Sequence, residues 1–395
     1  GAFSYDPFHL YAAGVLTNPN MVVFGQLGRG KSAFVKSYLW RQAVFGRRAW
    51  VVDPKGEYGA LARAWGTEPL TLRPGGDLRL NPLDASWTEH RGRADGTREE
   101  AAGGHGDAVT RARGELLASL ASASLGRSLL PAERTAVELA VDDVEAALSA
   151  PGAPPPTLPD VVGALLAPSA RAAASVRTDP ERLAADGRAI ALELRRLVAG
   201  DLRGMFDGPT SSGIDLNGPV VVLDLSAVYH SAALGVFMTC AMSWLHAALR
   251  APAAGPRQPV ILVVDEAWAV LSNLAVARWL QSSWKMARAW GVANVAVLHR
   301  ASDLAAAGSS GSEQVSLSQG LLADSETRVV YAQAPGEVAA AAELLGLGET
   351  EQELVSRLGR GVALWKVGPR SFLVQHRLSP GEHLLVDTDS RMVPR

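Results

Sequence analysis

The stretch that most constrains this chain is MVVFGQLGRGKSAFVK, residues 21–36. Four apolar residues run into a turn with glycines at 25, 28 and 30, and Lys31-Ser32 open a segment with helical character. Gly25-x-x-x-x-Gly30-Lys31-Ser32 is the pattern of a strand, a phosphate-binding loop and a helix. The chemistry accounts for the spacing. Glycines let the backbone N–H groups of Gly25, Gln26, Leu27, Gly28, Arg29, Gly30, Lys31, Ser32 and Ala33 curl around a phosphate, and the helix N-terminus adds its dipole. Lys31 reaches the β and γ oxygens of ATP, and Ser32 ligates Mg²⁺. A lysine here is informative because the chain has only five, Lys31, Lys36, Lys55, Lys285 and Lys366.

The rest of the chain fits a fold that presents such a loop. Apolar runs at 21–24, 48–52, 219–224, 260–264, 293–298, 328–332 and 362–366 lack the alternation of a half-exposed strand, and helical patterns separate them. Continuous apolar strands between helices predict an α/β fold with a mostly parallel sheet covered on both faces. VALWKV and SFLVQHRL flank GPR and read as a closing hairpin. The middle differs: from Asn81 to about Asp215 it is rich in Ala, Leu, Glu and Arg at helical spacing, as in PAERTAVELAVDDVEAALSA with Pro131 in the first turn. The expected organisation is a first core part over 1–83, an inserted all-helical subdomain over 84–215, and a second core part over 216–395. Residues 88–107 read as a charged, glycine-rich loop and 151–159 as a stiff proline linker. AALGVFMTCAMSWLHAALR, 232–250, approaches the length of a membrane span, but Thr239, Ser243 and His246 favour a buried helix over a transmembrane segment. Its Cys240 is the sole cysteine, which excludes a disulfide framework or a multi-cysteine metal site.

A partner for the phosphate loop is an apolar strand ending in carboxylates, and PVILVVDEAWAVL, 259–271, supplies one. Asp265 is placed to hold the Mg²⁺ shell and Glu266 to activate a water, which favours hydrolysis over binding alone. VANVAVLHR ends at His299, which would lie near the γ-phosphate if its strand stands beside the other two. Lys285 and Arg288 lie three apart on one face of the preceding helix.

VVDPKGEYGAL at 51–61, DEAW at 265–268 and an arginine eleven residues before a polar strand end together resemble the VirB-type ATPases of type IV secretion and conjugative transfer systems. Those proteins form part of the FtsK/HerA superfamily of ring-forming P-loop motors. The resemblance implies a RecA-like core, a homo-oligomeric, hexameric ring, partners within the transfer apparatus, and a bacterial, cytoplasmic location at the inner face of the membrane, held there through partners. It implies that Arg288 is an arginine finger for a neighbouring subunit. His299 falls where such proteins carry Gln. Proteins of this type have an additional N-terminal domain, so the resemblance also implies that this chain is the motor portion of a longer protein.

Two other functions compete. A HerA- or FtsK-like motor acting directly on double-stranded DNA predicts a basic pore, which a net charge of −2 without a clustered Arg/Lys run does not favour. A nucleotide-gated scaffold with little hydrolysis is opposed by Glu266.

Overall fold

The computed structural model of the protein describes all residues except 85–103, 151–152, 201, 213, 215, 217, 230–233, 235–237, 240–257, 272–273, 301, 303–312 and 387–395. The segment 232–250 with Cys240 therefore lies almost wholly outside the described residues. The chain divides into two compact units: Gly1–Leu70, Asp215–Ser226 and Arg257–Arg395 form the first, and Thr71–Ile214 with Ala227–Pro256 the second.

The first unit is organised by a sheet whose nine strands are β1 (Met21–Phe24), β2 (Arg48–Asp53), β3 (Leu70–Thr71), β4 (Val220–Asp224), β5 (Val260–Val264), β6 (Val292–Leu298), β7 (Thr327–Val330), β8 (Val362–Val367) and β9 (Arg370–Gln375). Their order is β3-β4-β2-β5-β6-β1-β7-β8-β9. From β4 through β7 all neighbours run parallel, and β7, β8 and β9 pair antiparallel. Every residue of β1, β5 and β6 is buried, the mark of strands covered on both faces. The apolar runs thus became strands where the pattern placed them, and the closing hairpin is β8–β9.

The P-loop helix, Lys31–Ala43, packs Phe34, Val35, Tyr38 and Leu39 into the core beside β1. Another helix, Leu274–Trp290, leads directly into β6. Buried amides fix the start of β6 to that of β1. Asn20 accepts from Asn294 Nδ2 at 2.9 Å and donates to Trp284 O at 3.0 Å, and Ser283 Oγ donates to Asn294 Oδ1 at 2.8 Å. Each of these polar groups is hydrogen-bonded, so the network ties helix to sheet without an unpaired cost.

The second unit is helical, with helices Gly104–Leu125, Pro131–Ala147, Leu158–Leu166, Ala170–Ser175 and Pro180–Ala199. Leu117, Val137, Val141, Val161, Leu165, Ile190 and Leu194 are buried at helical spacing. Two loop expectations shift. The first helix begins at Gly104, inside the span read as loop, and the proline segment ends at Thr157, where Pro159 sits in a helix's first turn. Among the described residues no helix is long and apolar enough to cross a membrane.

Candidate nucleotide site

Loop residues 25–30 join β1 to the P-loop helix, and the backbone there demands glycine. Gly25, Gly28 and Gly30 have φ of +151°, +76° and +107°. A Cβ on Gly25 would lie 2.5 Å from Tyr331 Cβ, so even a methyl group is excluded. Tyr331 N donates to Phe24 O at 2.7 Å, Gln26 N to Ala332 O at 3.0 Å, and Gly361 N to Arg29 O at 3.0 Å. The chain beyond β7 and the residues before β8 therefore hold the loop open from one side.

Because β6 lies between β1 and β5, the three strand ends at the carboxyl edge bring their polar residues together. Lys31 Nζ donates to Gly25 O at 2.5 Å and Gln26 O at 2.9 Å, and stands 2.8 Å from His299 Nδ1. His299 Nε2 lies 2.5 Å from Glu266 Oε1. The proton positions follow from donor chemistry: an ammonium has only donors, so Nδ1 accepts and Nε2–H donates to the carboxylate. The histidine thus bridges the P-loop lysine and the second acidic residue of DEAW, from a strand that stands between the other two.

Asp265 and Glu266 form the turn after β5. Asp265 Oδ1 accepts from Glu266 N at 2.9 Å and Oδ2 from Tyr58 OH at 3.0 Å. Burial, reinforced by the charge of Glu266, pushes the Asp265 carboxyl up. Glu266 has φ of +49°, a left-handed conformation that costs a non-glycine residue energy and is found where function over-determines the backbone. Its Oε1 also pairs with Lys55 Nζ at 2.5 Å, and its Oε2 accepts from Trp268 Nε1 at 2.7 Å. Burial works to raise the Glu266 carboxyl, but the bonds from His299, Lys55 and Trp268 outweigh it and hold the carboxyl at about 2.

DPKGEY completes the edge. Asp53 Oδ2 accepts from Tyr58 N at 2.8 Å, and burial first, then the neighbouring Asp265 and Asp224, push its carboxyl to about 6. Lys36 is fully buried, with its Nζ 3.7 Å from Glu57 Oε2 and 5.1 Å from the centre of the Tyr58 ring, and burial lowers its pKa. Burying that ammonium is costly, and the surrounding carboxylates offset the cost.

Arg288 is not brought to this edge. It is exposed near the end of the helix preceding β6, so the length of β6, roughly 20 Å, separates it from His299. Ser32 is half-buried in the first helical turn and exposes no geometry that conflicts with a role beside the phosphates. Tyr58 on Asp265, Trp268 on Glu266 and Tyr331 behind Gly25 escaped the sequence reading, as did the pairing of Lys55 with Glu266. Tyr58, Trp268 and Lys55 lie inside the quoted DPKGEY and DEAW motifs, so the motifs marked them but not their partners.

By sequence, the chain matches no family model and no curated protein. By structure it is similar to VirB4 of Thermoanaerobacter pseudethanolicus, with a TM-score of 0.69 and 22% identity over 93% of this chain and 92% of that one. It is also similar to the plasmid coupling protein TrwB in complex with ADP and Mg²⁺, with a TM-score of 0.57 and 14% identity over 91% of this chain and 86% of the other. TrwB bound to a non-hydrolysable ATP analogue superposes with a TM-score of 0.57 and 16% identity, over 91% and 85%. The chain shares the fold of these proteins across nine-tenths of its length.

Proposed function

We propose that this chain is a Mg²⁺-dependent ATP-hydrolysing motor of a type IV secretion or conjugative transfer apparatus, acting in an oligomeric ring, with six subunits as the expected number. One observation carries the reading: His299 stands hydrogen-bonded between Lys31 and Glu266 on a strand lodged between the P-loop strand and the acidic strand. The fold shared with VirB4 and TrwB supports the assignment to transfer systems.

The residues fit the substrate and the ion. In the cradle of Gly25, Gln26, Leu27, Gly28, Arg29 and Gly30, the positive φ at the three glycines shapes the loop, Tyr331 excludes a side chain at Gly25, and Lys31, Ser32 and Ala33 present the helix N-terminus. Ser32 and Asp265 offer oxygen donors of the kind Mg²⁺ prefers. When bound, Mg²⁺ supplies positive charge to the β and γ oxygens. Lys31 neutralises the γ-phosphoryl group as charge builds. Glu266 accepts a hydrogen bond from a water and orients it. The water oxygen then bonds to the γ-phosphorus while the bond to the β–γ bridging oxygen breaks, giving ADP and phosphate, and the released proton leaves through Glu266. His299 links base and lysine, so loss of the γ-phosphate is felt at both.

Arg288 acts in a neighbouring subunit's site. Its exposed place at the far end of β6, away from Lys31 and Glu266 of its own subunit, supports a role at a surface that meets a neighbour. The helices of 84–215 are a lobe inserted in the motor core, and the motor works in the cytoplasm at the inner membrane face through its partners. The test is ATPase rate against protein concentration for the wild type and Arg288→Ala, with and without DNA. The expected result is a rate per subunit that rises with concentration and falls about 10³-fold in the variant with ATP binding retained. A concentration-independent rate untouched by the substitution overturns the shared site, and strong salt-sensitive stimulation by double-stranded DNA reassigns the load to DNA itself.

A further inference from the structure

The turn after β2 is built more firmly than a strand-to-helix connection requires. Asp53 accepts from the backbone of Lys55 at 3.3 Å and of Tyr58 at 2.8 Å. At Gly56, with φ of +68°, the turn passes so close to Asp224 and Ser226 that an added Cβ would lie 3.2 Å from both side chains. From this frame two side chains reach the two acidic residues after β5, Tyr58 to Asp265 and Lys55 to Glu266.

The two contacts differ in what they can do. Tyr58 is fully buried, whereas the Lys55 side chain is 37% exposed and Glu266 only 4%. Both lone pairs of Glu266 Oε1 are engaged, by Lys55 and His299, and Trp268 occupies Oε2. A carboxylate that must accept from an attacking water has committed most of its capacity to three protein donors. The imidazole and the indole are fixed by the elements that carry them. Lys55, on a flexible four-carbon stem reaching solvent, is the donor that can leave by rotamer change alone.

We infer that Lys55 is a positioning residue for hydrolysis, a releasable lock that holds Glu266 in bonds that keep it from water. The inference rests on the reading of Glu266 as the residue that orients the water. The lock acts on the base and not on the phosphates, so its removal alters kcat and spares KM.

The experiment is steady-state ATPase kinetics of the full chain without partner proteins, for the wild type, Lys55→Met, Lys55→Gln, Lys55→Arg and Glu266→Gln. Expected for Lys55→Met and Lys55→Gln is a kcat raised about three- to fivefold, the scale of a half-exposed ion pair, with KM for ATP within about twofold of the wild type. Lys55→Arg returns a cation to the carboxylate and brings kcat back toward the wild type. A structural lysine would give the opposite, a lower kcat or a lower unfolding midpoint in both neutral variants. A fall in kcat overturns the lock and makes Lys55 a contributor to the chemistry. A KM raised about tenfold overturns it by making Lys55 a phosphate ligand. Unchanged kcat in a turning-over enzyme overturns the lock alone, whereas a wild type with no turnover above Glu266→Gln overturns the hydrolysis reading and the lock with it.

Discussion

Two histidines in this protein each enter a hydrogen-bonded chain that joins a residue of the P-loop helix to a glutamate carrying a cation. One chain runs Lys31–His299–Glu266–Lys55, with the histidine in the middle, and the other runs His376–Ser37–Glu382–Arg41, with the histidine at its end. Contact lengths are alike, but the protons run differently. Ser37 Oγ donates to Glu382 Oε1 at 2.8 Å, so it accepts from His376 Nε2–H at 2.9 Å, and its hydroxyl cannot be activated by that ring. Glu382 further accepts from Arg41 Nε and Nη2 and from Ser379 N, and Arg41 Nη2 donates to Arg377 O. Each group there has been used to staple the helix Pro380–Val386 to the flank of Lys31–Ala43. The first chain instead lies at the carboxyl edge of parallel strands, on a glutamate with strained backbone, and ends in a cation that can leave. A histidine and a glutamate chained to the P-loop helix are therefore no sign of a site by themselves. Proton direction, backbone strain and place on the sheet separate the working chain from the structural one.

The largest effects that would sharpen this contrast come from the two glutamates. Glu266→Gln is expected to lower kcat about 100-fold or more and the thermal unfolding midpoint by no more than about 4 °C, since an amide oxygen in the place of Oε1 still accepts from Lys55 and His299 and only Trp268 Nε1 loses its acceptor. Glu382→Ala is expected to do the reverse. It leaves the Ser37 hydroxyl and the Ser379 N–H without their acceptor, so the midpoint falls about 5–10 °C while kcat stays within about twofold. Kinetics and thermal unfolding on the same two preparations decide it. If Glu382→Ala loses turnover at an unchanged midpoint, the second chain belongs to the chemistry and the contrast dissolves.

How much of this was legible in the sequence depended on whether the signal was local. The strands and the cradle were, because continuous apolar runs and Gly25-x-x-x-x-Gly30-Lys31-Ser32 write their geometry into consecutive residues. The placement of His299 between Lys31 and Glu266 was legible only as a condition, since it needs β6 between β1 and β5, and strand order is a property of the whole sheet. The Ser37–His376–Glu382 staple was not legible at all. Ser37 lies more than 330 residues in sequence from His376 and Glu382, and the three join through a helix turn, a strand end and a helix start, none of which carries a motif. The start of the helix Gly104–Leu125 was misread because glycine and histidine in its first turn look like loop. Motifs were read as labels for residues, whereas Lys55, Tyr58 and Trp268 matter through partners on other strands.

The smallest effect is a difference in pH dependence, and it tests the proton direction in the structural chain. Burial, with the charge of Arg41 acting the same way, lowers the His376 ring to about 4 from its ordinary 6.5. The unfolded chain therefore binds the extra proton between those values, and the folded form loses stability as pH falls from 6.5 toward 4. Two carboxyl groups also titrate in acid but can be separated from the ring. Glu382 is held at about 2 against burial by Arg41, so its stabilisation is complete above 4.5 and erodes only as pH falls toward 2. Asp53, raised to about 6, acts in the opposite sense, favouring the fold as pH falls from 6 to its ordinary 3.8. Both are common to the wild type and His376→Gln, whose amide can still donate to Ser37. The two proteins should therefore unfold at similar temperatures at pH 7, and by pH 5 the wild type should have lost about 3 °C more than the variant. Equal losses would mean that the ring is not kept as a neutral donor, and Ser37 would then be open to the role that its bonds to Glu382 and His376 deny it.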